Sequence, residues 1–88
     1  MQLSLQGHVQ GVGFRLFALQ QARLLGCTGW VHNDPSGRRV EVVAEGRRDV
    51  LEQLLDRLRR GPAGAQVTYV EAEWQDSTGE FGHFQIRH

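Results

Sequence analysis

Nine consecutive residues, Gly7-His8-Val9-Gln10-Gly11-Val12-Gly13-Phe14-Arg15, carry the residue types in this chain best suited to chemistry on an anion. Glycines at 7, 11 and 13 let the backbone turn tightly and leave its N–H groups uncovered; side chains at 11 and 13 would hinder the turn and keep an anion off the backbone. The stretch lies between a strand-like and a helix-like segment. It therefore feeds a helix N-terminus, where N–H groups lack partners inside the helix and the dipole is positive. Arg15 adds a permanent charge and a planar fork of donors that matches phosphate or carboxylate oxygens. The combination reads as an oxyanion cradle. Charge placement is compatible with it: the first acidic residue is Asp34, and residues 1–33 hold Arg15 and Arg23 without a carboxylate. A short, mostly buried segment would also have few charges, so this feature alone decides nothing.

The elements that must hold such a cradle follow from periodicity. Residues 2–8 alternate Leu3 and Leu5 with Gln2, Ser4 and Gln6, the period of a half-buried strand. A helix is expected over 15–25, with Phe14, Ala18, Ala22 and Leu25 on one stripe, Phe17 and Leu24 widening it, and Gly26 ending it. A second strand covers 28–33, and the turn formers Asn33-Asp34-Pro35-Ser36-Gly37 lead into a third over 39–45 with Val40, Val42 and Ala44 facing the core. A second helix covers 48–60. Val50, Leu51, Leu54, Leu55 and Leu58 mark its buried face, Asp49 and Glu52 have capping-box spacing, and Gly61-Pro62 stops it. A fourth strand over 67–75 points Val70, Ala72 and Trp74 inward, and a short last strand covers 84–86. This order is the α+β, ferredoxin-like split β-α-β sandwich: an antiparallel sheet in order 4-1-3-2, two helices on one face, and an extra C-terminal strand.

Eighty-eight residues make one domain, 1–88, able to bury a single modest core. The one cysteine, Cys27, excludes an internal disulfide, lies in an apolar stretch and reads as a small buried hydrophobe. With no basic leader and no apolar run near the ~18 residues of a membrane span, a soluble cytoplasmic protein without a membrane partner is expected, as is a monomer. Ten basic and ten acidic residues cancel, unlike the basic balance of a general nucleic-acid binder.

In this topology the first and second strands run parallel through a crossover helix, with the third between them. Their C-terminal ends share one edge of the sheet, two strand spacings or roughly 9–10 Å apart. The glycine-rich turn leaves the first, and Asn33 stands at the end of the second. Arg15 and Asn33 should therefore flank one pocket, although Asn33 alone would read as a residue that opens the hairpin.

Here the sequence becomes specific. The run from Gly7 to Arg15 resembles the first motif of the acylphosphatase family, and Gly29-Trp30-Val31-His32-Asn33, with Gly37 four residues on, resembles the second. Gly46 after a valine-rich strand and the Phe84-Gln85-Ile86 ending match as well. The resemblance implies an enzyme that hydrolyses acyl phosphates to a carboxylate and inorganic phosphate. It assigns the phosphoryl oxygens to Arg15 and the backbone of Val9, Gln10, Gly11, Val12, Gly13 and Phe14, and the attacking water to Asn33. No cofactor or metal is expected, and the partner is a small acyl phosphate. His8 and His32 stand at the pocket rim where the family more often has a basic or amide side chain. Val40 comes one position later than the pattern, behind Arg38-Arg39, which implies one extra hairpin residue of the kind a β-bulge absorbs.

Rivals from other classes fare less well. RNA-recognition domains share this element order, but they stack bases on aromatics in the first and third strands, which here have none. A non-catalytic phosphate-binding module of the same fold, or a domain of a larger carbamoyl-transfer protein, is the main alternative; a chain of this length suits the stand-alone enzyme. His8, His32, His83 and His88 lack paired ligand spacing, and the P-loop pattern is absent.

Overall fold

Alternating side chains build the sheet. In the computed structural model, which describes residues 1–88, β1 (Gln2–His8) buries Leu3 and Leu5, β2 (Thr28–Asn33) buries Gly29 and Val31, and β3 (Arg39–Glu45) buries Val40, Val42 and Ala44. Two helices cover that face. Helix α1 (Phe14–Leu24) contributes Phe14, Ala18 and Ala22, and α2 (Arg48–Arg60) contributes Leu51, Leu54 and Leu58; all join the strand residues in one core. The small stripe of α1 lets the helix sit close to the sheet. Burial of this apolar surface, not helix propensity, is what makes an 11-residue helix stable.

The sheet runs β4-β1-β3-β2-β5, with β4 spanning Gln66–Glu73 and β5 spanning Phe84–Arg87. The 4-1-3-2 core is antiparallel throughout. The extra strand joins β2 in parallel, so the five-stranded sheet is mixed. One row crosses three strands: Leu5 faces Val40, and Val40 faces Asn33. That row fixes where the C-terminal end of β2 lies relative to β1.

Four local expectations are corrected. Asp49 does not cap α2. The chain leaves Gly46 so that Arg47 takes the N-cap in an extended conformation without a side-chain cap bond, and Asp49 falls inside the first turn, 3.0 Å from the Arg47 guanidinium. Trp74 lies beyond β4 and is exposed, with the Arg48 guanidinium 3.6 Å above its ring. Leu24 is 75% exposed at the end of α1, outside the stripe. Finally, β2 and β3 pair from Thr28–Glu45 to Asn33–Val40 with no register shift, so the additional residue sits in the turn and not in a bulge. The irregularity lies elsewhere: β4 shifts against β1 between Gln6 and Gly7, where Tyr69 and Val67 are the partners and Thr68 is the surplus residue. This shift puts both Val67 and Val70 against the core despite their odd spacing.

The lengthened turn is closed by charge. Asp34 N–H donates to the Arg39 carbonyl at 2.9 Å, and the Asp34 carboxylate accepts from Ser36 N–H at 2.9 Å and from Arg39 Nη2 at 2.9 Å. Ser36, through its hydroxyl and its N–H, and then the Arg39 guanidinium hold the Asp34 carboxyl at about 2, below the ordinary carboxylate range.

Two outcomes are expected. Gly29 has φ +135°, and a Cβ there would run into the Val43 carbonyl oxygen of the neighbouring strand. Gly29→Ala should therefore cost ~3 kcal/mol or more, a fall in Tm of ~12 °C or more by thermal denaturation; an unchanged Tm would contradict the strand geometry. Because folding lowers the Asp34 pKa, its stabilisation is present above the unfolded carboxyl value and disappears as pH falls toward 2. Asp34→Asn should lower Tm at pH 7, and the gap to the parent chain should close as pH drops from about 4 to about 2.

Candidate active site

The loop after β1 is pinned at both ends by buried apolar side chains, Val9 and Phe14. Between them Gly11 and Gly13 adopt φ +74° and +76°, a left-handed conformation that side chains disfavour. Gly13 is also the N-cap of α1, and it has no side chain with which to cap. No acidic residue occupies the first turn of that helix. None of the N–H groups from Val9 to Gly13 donates to another group of the chain. Five consecutive N–H groups thus stand free at the positive end of a helix, the arrangement that binds oxyanions.

Arg15, in the first turn of α1, and Asn33, at the end of β2, line one cleft of about 220 Å³ with Val9, Gln10, Gly11, Gly13 and Phe14. Of the residues expected there, only Val12 is not in the lining; its side chain packs partly against the core. The Asn33 Oδ1 is buried and has no hydrogen-bond partner in the chain. A buried amide oxygen left this way is costly unless a ligand or water satisfies it.

Leu16, Ile86 and His88 also line the cleft and were missed by reasoning from the sequence. Ile86 arrives on β5 and His88 directly after it. Ile86 faces Val31 and Arg87 faces His32 in the parallel ladder, so the chain continues to His88 beside the end of β2. Arg15 Nη1 donates to His88 Nδ1 at 3.4 Å. The last strand was visible in the sequence, but its pairing with β2 was not; that pairing is the signal that would have placed both residues.

The two histidines expected at the rim lie elsewhere. His8 is exposed and borders a separate depression with Arg38. His32 points to the open face of the sheet, where it meets Glu41 at 3.6 Å and the Trp30 ring edge-on. No acidic side chain lines the cleft. Asp34, the nearest in sequence to Asn33, is committed to Ser36 and Arg39 outside it. The cleft therefore offers an anion one guanidinium and a run of N–H groups, with no opposing negative side chain, and Asn33 beside them carries an unpartnered amide oxygen that can accept from a donor such as water.

Known proteins resemble this chain over nearly its whole length. The acylphosphatase family model matches residues 1–86. An acylphosphatase of Dehalococcoides mccartyi (strain CBDB1) is 47% identical over 83 residues, 94% of this chain and 91% of the relative. One from Deinococcus radiodurans is 51% identical over 73 residues, 83% of each chain. The crystal structure of acylphosphatase from Bacillus subtilis superposes with a TM-score of 0.94 at 32% identity, covering 99% of this chain and 96% of that one. The chain belongs to the acylphosphatase family.

Proposed function

We propose that the cleft between Arg15 and Asn33 is the catalytic centre of acyl phosphate hydrolysis. The reaction follows from family membership: this chain is an enzyme that cleaves acyl phosphates, R–CO–O–PO₃²⁻, to a carboxylate and inorganic phosphate. The phosphoryl oxygens sit against the Arg15 guanidinium and the N–H groups of the loop from Val9 to Phe14. Asn33 Oδ1, buried and unpartnered, accepts a hydrogen bond from a water and holds it on line with the phosphorus. Asn33, with its unpartnered amide oxygen, in the lining of the same cleft as Arg15 is the observation that carries the reading.

The residues suffice because the chemistry is undemanding at the leaving group. A carboxylate departs without protonation, so no general acid is needed. The water's oxygen bonds to phosphorus as the bond to the acyl oxygen breaks. Asparagine cannot take the water's proton at neutral pH, so it passes to a phosphoryl oxygen of the substrate. The protein's part is positioning and stabilisation of charge on the equatorial oxygens. No Asp or Glu side chain in the lining repels that charge. The small acyl phosphate is the partner this site calls for, and we read a cytoplasmic monomer that acts without nucleic acid. The buried free thiol of Cys27 and the lack of any helix long and apolar enough to cross a membrane suit that setting.

Benzoyl phosphate should be hydrolysed and p-nitrophenyl phosphate largely ignored, with EDTA without effect. Arg15→Ala should lower kcat/KM by ~10²–10³ or more, the value of one lost oxyanion contact. Asn33→Ala should lower kcat as strongly while leaving inorganic phosphate binding nearly intact. A folded Arg15→Ala variant with full activity would overturn the assignment; binding without turnover in the parent chain would favour the non-catalytic module.

A further inference from the structure

The two halves of the cleft are far apart in the chain, yet one side chain joins them. Gln10 lies in the loop after β1 and is half-buried. Its Nε2 donates to the Asp34 carbonyl at 2.8 Å and to the Arg39 carbonyl at 3.0 Å. These carbonyls belong to the residues that open and close the β2–β3 turn, and Asp34 directly follows Asn33. Both protons of the carboxamide are thereby used, and no other side chain of the loop bonds to the hairpin.

We propose that Gln10 is a positioning residue: its carboxamide clamps the phosphate-binding loop to the Asn33 hairpin and sets the distance between the held phosphoryl group and the water. The inference rests on the roles given above to Arg15, the loop and Asn33. It concerns the side chain alone, since any residue but proline at position 10 keeps the N–H. The geometry explains why a clamp is needed. The sheet joins β1 to β3 and β3 to β2, but its ladder ends at Gln6–Arg39 on one side and Asn33–Val40 on the other. Beyond that edge Gly7 N–H still reaches the Arg38 carbonyl at 3.1 Å, and then the loop departs. Val9 and Phe14 anchor its ends in the core, whereas the stretch between them has only Gln10 to hold it against the hairpin. The acceptors are main-chain oxygens of the hairpin itself, so the clamp acts directly on the backbone that carries Asn33. A displacement of about 1 Å between nucleophile and electrophile can slow a reaction by ~10²-fold.

A role in positioning and a role in stability alone separate in the following experiment. Gln10→Met keeps length and packing and removes both donors. It should lower kcat for benzoyl phosphate by ~10- to 10²-fold, while the Kd for inorganic phosphate changes by less than ~3-fold, because Arg15 and the loop N–H groups remain. Gln10→Glu sets a carboxylate against two carbonyl oxygens, and its protonated form regains one donor. The ratio of its kcat to that of Gln10→Met should therefore rise by ~3-fold or more between pH 7 and pH 4.5. A loss of stability alone would move Tm and leave the split between kcat and Kd, and this ratio, unchanged. In the parent chain the Gln10 carboxamide protons should exchange with solvent far more slowly than those of exposed Gln53 by NMR, a readout that needs no variant. Parent-like kcat in folded Gln10→Met, a ratio flat with pH, or Gln10 protons exchanging as freely as those of Gln53 would each overturn the clamp. Failure of the underlying site is distinct, since it would appear as undiminished activity in Arg15→Ala.

Discussion

Every N–H that a helix or a sheet uses is lost to a ligand. A small fold that grips an anion with its main chain must therefore leave several such groups unpaired, and it must support them from both sides. Here the spared groups lie between Val9 and Gly13, where a strand has ended and a helix has not begun. Left-handed glycines turn the segment, and Val9 and Phe14 hold its ends down in the core. The rest of the architecture can be understood as support for that gap. Helix α1 presents its N-terminus because its Phe14-Ala18-Ala22 stripe is pressed onto the sheet. β3, placed between β1 and β2, sets the separation at which Asn33 stands.

Electrostatics complete the arrangement by exclusion. A carboxylate facing the cleft would repel a phosphoryl group and draw the Arg15 guanidinium to itself. The chain keeps its acids away, and the one nearest in sequence, Asp34, is bound to Ser36 and Arg39 on the hairpin. The same ion pair closes a turn one residue longer than the pattern the rest of the chain follows. A departure in the sequence is thus absorbed by a local bond network, and Asn33 keeps its place in the row with Val40 and Leu5.

Much of this was legible in the residues. The alternation Leu3-Leu5, Val40-Val42-Ala44 and the leucine face of α2 dictate the elements and their order, and the parallel relation of β1 and β2 brings Arg15 toward Asn33. Features that depend on pairing were not legible. Trp74 looked inward by period two with Val70 and Ala72, but β4 ends at Glu73, one residue before it. His8 and His32 looked like rim residues by position in a motif, whereas the pleat sends His32 to the opposite face. Ile86 and His88 went unnoticed because a four-residue strand carries no signal for the edge it will join. The bonds of Gln10 to two main-chain oxygens were hidden for the same reason: nothing in a glutamine's type or spacing names acceptors 24 and 29 residues away.

The parallel pairing of β5 with β2 gives the cleft a property in time as well as in space. Residues from Val9 to His88 line it, and the strand that delivers the last of them docks only against a β2 already paired with β3 or able to be. On the ribosome, the loop, the helix and the hairpin can all emerge while the cleft is still open on one side. Its wall is finished only when residue 88 has cleared the exit tunnel. The pairing joins segments as distant as Gly29 and Phe84, and such loops are slow to close, since the entropy of joining distant segments is spent before their contacts form. A nascent chain of this protein is therefore without the Ile86 and His88 side of its cleft until synthesis has passed that point.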